Sequence, residues 1–345
     1  MDKILTVIKT KLKNPLYQFI LFGLLMILLP VLSPFLSVTT VDALAKTLVY
    51  FIVALGFSLL IGYGGLASLG TSSFIAIGTF VAYAGINVFE LPFLLTILLG
   101  VVIAILFGLI FGVVSLRIEG MYLAIVTLGL SEIMIELFKN FDKFTGGVSG
   151  TTSKAIEMFG LRLTSTETLY LVIIAVVVAM ILTYNLINSP FGRALLSIKN
   201  NDSAAQAMGI SIIKYRLIAF IVSTVYAVIG GILYMGYIRF SMGSTWGLAI
   251  SLNILAAVVV GGAKSIWGVL LGTFMIFGMD LILFKNIPFL ADSKFANLSF
   301  VISGILIIVV TMFYPNGLAG LINELKFKIK KLKMKKKVAK EHEEQ

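Results

Sequence analysis

The 345-residue chain has no cysteine, a single histidine, and charge on only 12% of its residues. Without cysteine there can be no disulfide, no thiolate nucleophile and no thiolate metal site. The lone histidine, His342, lies in the charged C-terminal tail, so neither a histidine-based triad nor a histidine metal cluster has the residues to form. Within apolar segments, carboxylates are paired once, at Glu132 and Glu136, while Asp280 stands alone. That is a poor basis for acid–base chemistry. No Gly-x-x-x-x-Gly-Lys phosphate loop occurs. These absences point away from an enzyme, imply no cofactor, and leave any nucleotide hydrolysis to another polypeptide.

What the chain has instead is apolar length. Apolar residues make up 59% of it and mean hydropathy is +1.06, against roughly 45–50% apolar content in soluble domains. One soluble core cannot hide that much apolar surface, so lipid must be the solvent for much of it. The run at 16–36 follows a basic N-terminal stretch, but its 21 residues exceed the about 7–15 of a secretory h-region. Although Ala43-Leu44-Ala45 follows, the run reads as a retained helix long enough for a hydrocarbon core of about 30 Å. Runs bounded by charge, Gly, Pro or Asn give candidate spans at 16–36, 44–62, 70–88, 93–115, 120–138, 168–188, 216–238, 249–263, 266–284 and 298–316. The expected fold is an all-α polytopic membrane protein of about ten membrane-penetrating helices (range 8–10), with both termini cytoplasmic. Residues 1–15 form an N-terminal segment, 16–316 the transmembrane domain and 317–345 a basic tail.

Charge supplies sidedness. Net charge is +11, but nine of the 27 basic residues crowd between Lys326 and Lys340, unlike a nucleic-acid footprint. A basic tail beside a span lies at the anionic cytoplasmic leaflet. With ten spans and the N-terminus inside, nineteen basic residues fall on the cytoplasmic side and eight outside. The tail dominates this contrast, so it supports a cytoplasmic C-terminus more firmly than a particular span count.

Two connections are long. Residues 139–167, outside in this scheme, carry a loop at Thr145–Gly150 rich in flexible residues. Residues 189–215, inside, are polar yet helical in pattern: Ala194, Leu195, Ile198, Ala204, Ala205 and Met208 recur at three- and four-residue spacing. A short amphipathic helix at about 193–211 suits a soluble partner. Glycine-interrupted stretches at Gly62–Gly70 and Gly261–Gly268 echo one another in the two halves, the pattern of a transporter's internal repeat.

The 190–211 segment resembles the coupling loop of ABC importer permeases: an acidic residue, two alanines, and a glycine four residues after the second. Asp202, Ala204, Ala205 and Gly209 stand at those positions, with Asp202 one residue further from the alanines. Four further stretches run in matching order: Gly62–Gly70, Arg117–Glu132, Phe144–Gly150 and Val259–Gly268. With the terminal Tyr314–Leu318 they are similar to bacterial branched-chain amino-acid permeases, most closely the second of the two paired permeases, over roughly residues 40–320. The resemblance implies a translocation subunit in the bacterial cytoplasmic membrane. Its partners would be a second permease (a paralogue), two cytoplasmic ATPase subunits and an extracytoplasmic binding protein. It further implies ATPase coupling through Gly192, Arg193, Asp202, Ala204, Ala205 and Gly209, and a path near Gly64, Ser68, Tyr122, Thr127 and Glu132. Leu66 and Thr71 stand where the family often has glutamine or histidine, which leaves the solute open between branched-chain amino acids, urea and short amides.

Two other classes fit the residues. An ion-coupled secondary transporter would use Glu132 as its proton or cation site and need no ATPase. A channel or membrane scaffold would carry the same basic tail.

Overall fold

A computed structural model describes residues 14–32, 38–115, 122–158 and 160–278, with scattered positions between 304 and 324. The expected span at 298–316 lies mostly outside these residues, and Arg117, Asp280 and the tail lysines lie wholly outside them. The regular structure of the described residues is helical apart from four two-residue strands.

The helices run in order as α1 (Pro15–Leu32), α2 (Val38–Ser58), α3 (Thr71–Tyr83), α4 (Phe93–Ser115), α5 (Tyr122–Asn140), α6 (Asp142–Thr145), α7 (Ser165–Asn188), α8 (Pro190–Asn200), α9 (Asp202–Ala207), α10 (Ile212–Ile238), α11 (Leu248–Gly261) and α12 (Ile266–Thr273). Single π-turns extend α2 to Tyr63, α3 to Val88 and α12 to Gly278. Among the described residues, five helices are long and apolar enough to cross a membrane: Thr39–Tyr63, Thr71–Val88, Phe93–Val114, Ser165–Asn188 and Ile212–Ile238. That is half of the expected ten. Pro15–Leu28, Leu248–Gly261 and Ile266–Gly278 are apolar but shorter, and α5 carries Glu132, Glu136 and Lys139 in its 19 residues.

The centre is α10, which packs against α2, α3 and α4. Its approach to α3 is set by small residues: a Cβ on Gly78 would sit 2.1 Å from the Val228 carbonyl, and one on Gly231 2.1 Å from that of Ile75. In lipid, where apolar surface gains little by leaving solvent, such backbone-to-backbone packing is what holds helices together. Phe74 then meets Phe111 and Phe220 edge-on, with centroids 5.5 and 5.9 Å away. In contrast, α4 presents Leu94, Leu98, Val102, Leu106 and Ile110 outward, a face for lipid.

The two ends of the bundle are polar and distinct. At one end, β1 (Thr151–Thr152) pairs with β4 (Phe240–Ser241), and β2 (Glu157–Met158) with β3 (Leu161–Arg162). Asn87 bonds Ser153, and Tyr237 Oη donates to Asp42 at 2.8 Å. The described residues of the 139–167 connection thus form a helical turn at Asp142–Thr145 and three short strands, of which β1 pairs outside the connection with β4. The other end gathers residues 59–66, 189–215 and 262–265. Three connections that alternation assigns to the cytoplasmic side thus share one end.

Candidate functional site

The amphipathic connection forms two helices rather than the single one expected at 193–211. Ser189 is extended, and Pro190 opens α8 at the position where its missing N–H costs nothing. Gly192, Ala194, Leu195 and Ile198 are buried, while Arg193, Ser197 and Asn200 face outward; Lys199, exposed along part of its length, bends back to the bundle. Gly192 fits because a Cβ there would lie 2.1 Å from the Ile187 carbonyl. Arg193 returns to the end of α7, donating Nη1 to the Asn188 carbonyl at 2.9 Å.

Asn201 breaks the run and caps the second helix: its side-chain oxygen accepts the Ala204 N–H at 3.0 Å. Asp202 starts α9 and takes both of its hydrogen bonds from Arg216 Nη2, at 3.0 and 2.7 Å. Arg216 belongs to α10, so this pair pins the knuckle to the central helix. Ala205 is buried and Ala204 exposed. At the far end Gly209 adopts φ +80°, its N–H bonds the Gln206 carbonyl, and the Ile210 N–H bonds that of Ala205. That pair of bonds is a Schellman termination, which needs a left-handed residue where glycine is least strained. Met208 is 82% exposed and Ile213, in the first turn of α10, 69%, so two large apolar side chains flank the turn.

The residues expected on the path divide in two. Gly64 ends the π-turn after α2, Ser68 lies buried in the non-helical stretch before α3, and Thr127 on α5 holds that stretch. Thr127 Oγ1 accepts the Leu69 N–H at 2.9 Å, and Ser68 Oγ accepts the Gly70 N–H at 3.3 Å. Ser251, which no pattern in the sequence singles out, accepts the Ser72 N–H at 3.0 Å and donates to Ser72 Oγ at 2.8 Å, tying α11 to the start of α3. The structure does not bring Tyr122 or Glu132 to this cluster. Tyr122 is 71% exposed, and Glu132 lies on the outward stripe of α5 with Ile125, Gly129, Ile133 and Glu136. Glu136 pairs with Lys139 at 2.5 Å near the helix end. Ser131, next to Glu132 but facing inward, is buried, and its hydroxyl has no partner among the described residues.

The two glycine stretches meet. A Cβ on Gly62 would lie 2.3 Å from the Ala263 carbonyl, and Tyr63 Oη donates to the Lys264 carbonyl at 3.1 Å. Gly317 approaches Gly262 equally closely, so the terminal motif joins the same cluster. Lys199 reaches it from α8, donating to the carbonyls of Ile61 and Gly62 at 2.9 and 2.8 Å.

Neither of two cavities elsewhere suits a polar solute crossing the membrane. One of 450 Å³ between α3, α4 and α5 is walled by Ile77, Phe80, Phe107, Met134 and Phe138. Another of 340 Å³ opens at the strand-bearing end among Glu90, Lys154, Glu157 and Arg162. Among the described residues no group of three or more His, Asp or Glu side chains offers a metal site.

A helical bundle with five helices long and apolar enough to cross a membrane defines a polytopic membrane protein. The sequence matches the family described as "Branched-chain amino acid transport system / permease component" over residues 39–311, and the chain belongs to that family. It is a membrane permease subunit of an ABC-type importer for branched-chain amino acids or related small polar solutes, not an enzyme, in the bacterial inner membrane. It is 29% identical to the high-affinity branched-chain amino acid transport system permease protein LivM of Escherichia coli K12, across 86% of this chain and 74% of that one. Identity to the Salmonella typhimurium LivM is 28% with the same coverage. To the probable branched-chain amino acid transport permease protein LivH of Methanocaldococcus jannaschii it is 28%, over 57% of this chain and 64% of that one. No solved structure matches.

Proposed function

We propose that this chain forms one half of a pore whose other half is a paralogous permease. Two cytoplasmic ATPase subunits seat on α9 and on the outward face of α8 at Arg193, Ser197 and Asn200, and an extracytoplasmic binding protein delivers a branched-chain amino acid to the opposite end. The observation that carries this reading is the α8–α9 knuckle. It seats one face of α8 on the bundle, ends on a glycine turn, and exposes Met208 at that turn with Ile213 beside it in the first turn of α10. Two large apolar side chains either side of one exposed turn suit contact with a protein partner. Small Ala204 and Gly209 let the partner approach the backbone, and Asp202–Arg216 transmits load to α10.

Alternating access supplies the mechanism: closure of the ATPases on ATP pushes the knuckle and, through it, the helix ends at 59–66 and 262–265. In this reading the bundle has about ten membrane-penetrating helices, α11 and α12 being short ones set against the glycine break. Buried Ser68, Thr127 and Ser131 serve the inner part of the path, and the α5 stripe with Glu132 faces the partner permease across the pore. The polar cleft at Glu90, Lys154, Glu157 and Arg162 lies where the binding protein would land.

The test is co-purification of the tagged, detergent-solubilised protein followed by an ATPase assay and uptake in proteoliposomes. ATPase subunits that co-purify, and are released when residues of α9 are changed, support the reading. A partnerless protein that moves solute under an ion gradient alone overturns it.

A further inference from the structure

The end of α2 leaves two carbonyls to a side chain from another element. The Gly64 and Leu66 N–H groups donate to the carbonyls of Leu59 and Leu60, each at 3.1 Å. The next two carbonyls in the chain, Ile61 and Gly62, accept from Lys199 Nζ at 2.9 and 2.8 Å. Carbonyls at a helix end lack backbone donors and carry the negative pole of the helix, so a cation there meets both needs. The stem of Lys199 lies along Gly65, whose Cβ position would be 3.3 Å from Lys199 Cγ. Beyond the carbonyls, Gly62 rests on Ala263 and Tyr63 holds Lys264. A single side chain therefore links α8 to the point where the two glycine-broken segments touch.

Lys199 is not placed there for its own comfort. Burial, and secondly the charge of Lys264, hold its ammonium group below the ordinary lysine range. The rest of α8 meets the bundle through Leu195 and Ile198, apolar contacts that have no preferred direction. Two charge-assisted hydrogen bonds to adjacent carbonyls are directional and resist both sliding and lifting.

We propose that Lys199 is the coupling tie of this permease: it delivers movement of the ATPase-facing helices to residues 61–65 and onward to 262–265. The inference rests on the reading of α8 and α9 as the ATPase seat. Lys199 is a positioning residue in this role and need not touch solute.

The experiment uses the full complex with its binding protein in proteoliposomes, reading radiolabelled leucine taken up per ATP hydrolysed. K199M keeps the aliphatic stem and removes the donors. It should retain its ATPase subunits and basal hydrolysis, yet lose about tenfold or more of uptake per ATP, the scale of one charge-assisted hydrogen bond. Because the chain contains no cysteine, K199C creates a single thiol in it. Aminoethyl methanethiosulfonate, which restores an ammonium group, should recover coupling in K199C, and neutral ethyl methanethiosulfonate should not. K199M coupled to within about twofold of wild type overturns the proposal, as does equal recovery with both reagents. Failure of K199M to assemble overturns it too, since Lys199 would then be a folding staple. If the wild-type chain itself binds no ATPase, the seat fails and the tie with it; if it binds ATPase and takes up no leucine, only the choice of solute has failed.

Discussion

Gly209 sits at φ +80° with no heavy atom within 4 Å of the place a Cβ would occupy. Any cost of replacing it is therefore backbone strain alone, about 1–2 kcal/mol for a side chain that resists the left-handed region. That is too little to unfold the bundle and enough to loosen the termination of α9. G209V should insert and express normally while uptake falls sharply and ATPase subunits co-purify poorly. G209N, which tolerates the left-handed conformation, should keep most of both. Asp202 and Arg216 give a second test. The Arg216 side chain is 19% exposed and that of Asp202 44%, so the pair is screened on one side only. D202N should weaken the knuckle by about 1 kcal/mol, the upper range for a partly exposed pair. Wild-type ATPase binding should decline with added salt more steeply than that of D202N, a difference readable by pull-down across a salt series.

At the scale of elements, the crossing of α3 and α10 is the contact least able to adapt. Gly78 and Gly231 place each backbone against the other, and no rotamer change makes room for a side chain whose Cβ would sit 2.1 Å from a carbonyl. G231L should separate the helices and lower the melting temperature in detergent by far more than a surface change such as I174A on the outward side of α7, or fail to express at all. The elements themselves were largely legible. Runs of apolar residues mark α3, α4 and α10 to within a few residues, and Thr164 with Glu167 forms a capping box, a local pattern that starts α7 three residues before the apolar run suggests. The split of the knuckle also had a local sign, since Asn201 followed by Asp202 is a helix-start signal. Regular three- and four-residue spacing masked it, because two short helices in sequence keep much of the same period. What no local pattern reveals are the joints. Lys199 meets Ile61 and Gly62 nearly 140 positions away, and Ser251 meets Ser72 at 179. Such pairings depend on how helices are arranged around α10.

For the whole molecule, sidedness and the α5 stripe together frame the test of what this chain pairs with. Residues 59–66, 189–215 and 262–265 meet at one end, while Asn87, Ser153, Asp42 and Tyr237 meet at the other. Between these ends α5 turns Glu132 outward, beside Gly129, which has nothing within 4 Å of its Cβ position. An ionised carboxylate facing hydrocarbon costs about 2.5 kcal/mol or more, so a stripe built this way is suited to water or protein. In a paired pore it would line the gap between the two permeases. E132Q keeps the shape and removes the charge, so the pair should still assemble while ATP-driven uptake slows severalfold. E132L should depress uptake further and leave ATP hydrolysis running. Were the stripe to face lipid, E132L would instead raise the melting temperature and leave uptake intact, which would remove Glu132 from the pore. Were Glu132 an ion-coupling site, E132Q would abolish uptake driven by a proton or sodium gradient without any ATPase present. Measuring uptake under ATP and under an ion gradient with these two variants separates the three arrangements, because each assigns the same carboxylate a different neighbour: partner permease, lipid or ion.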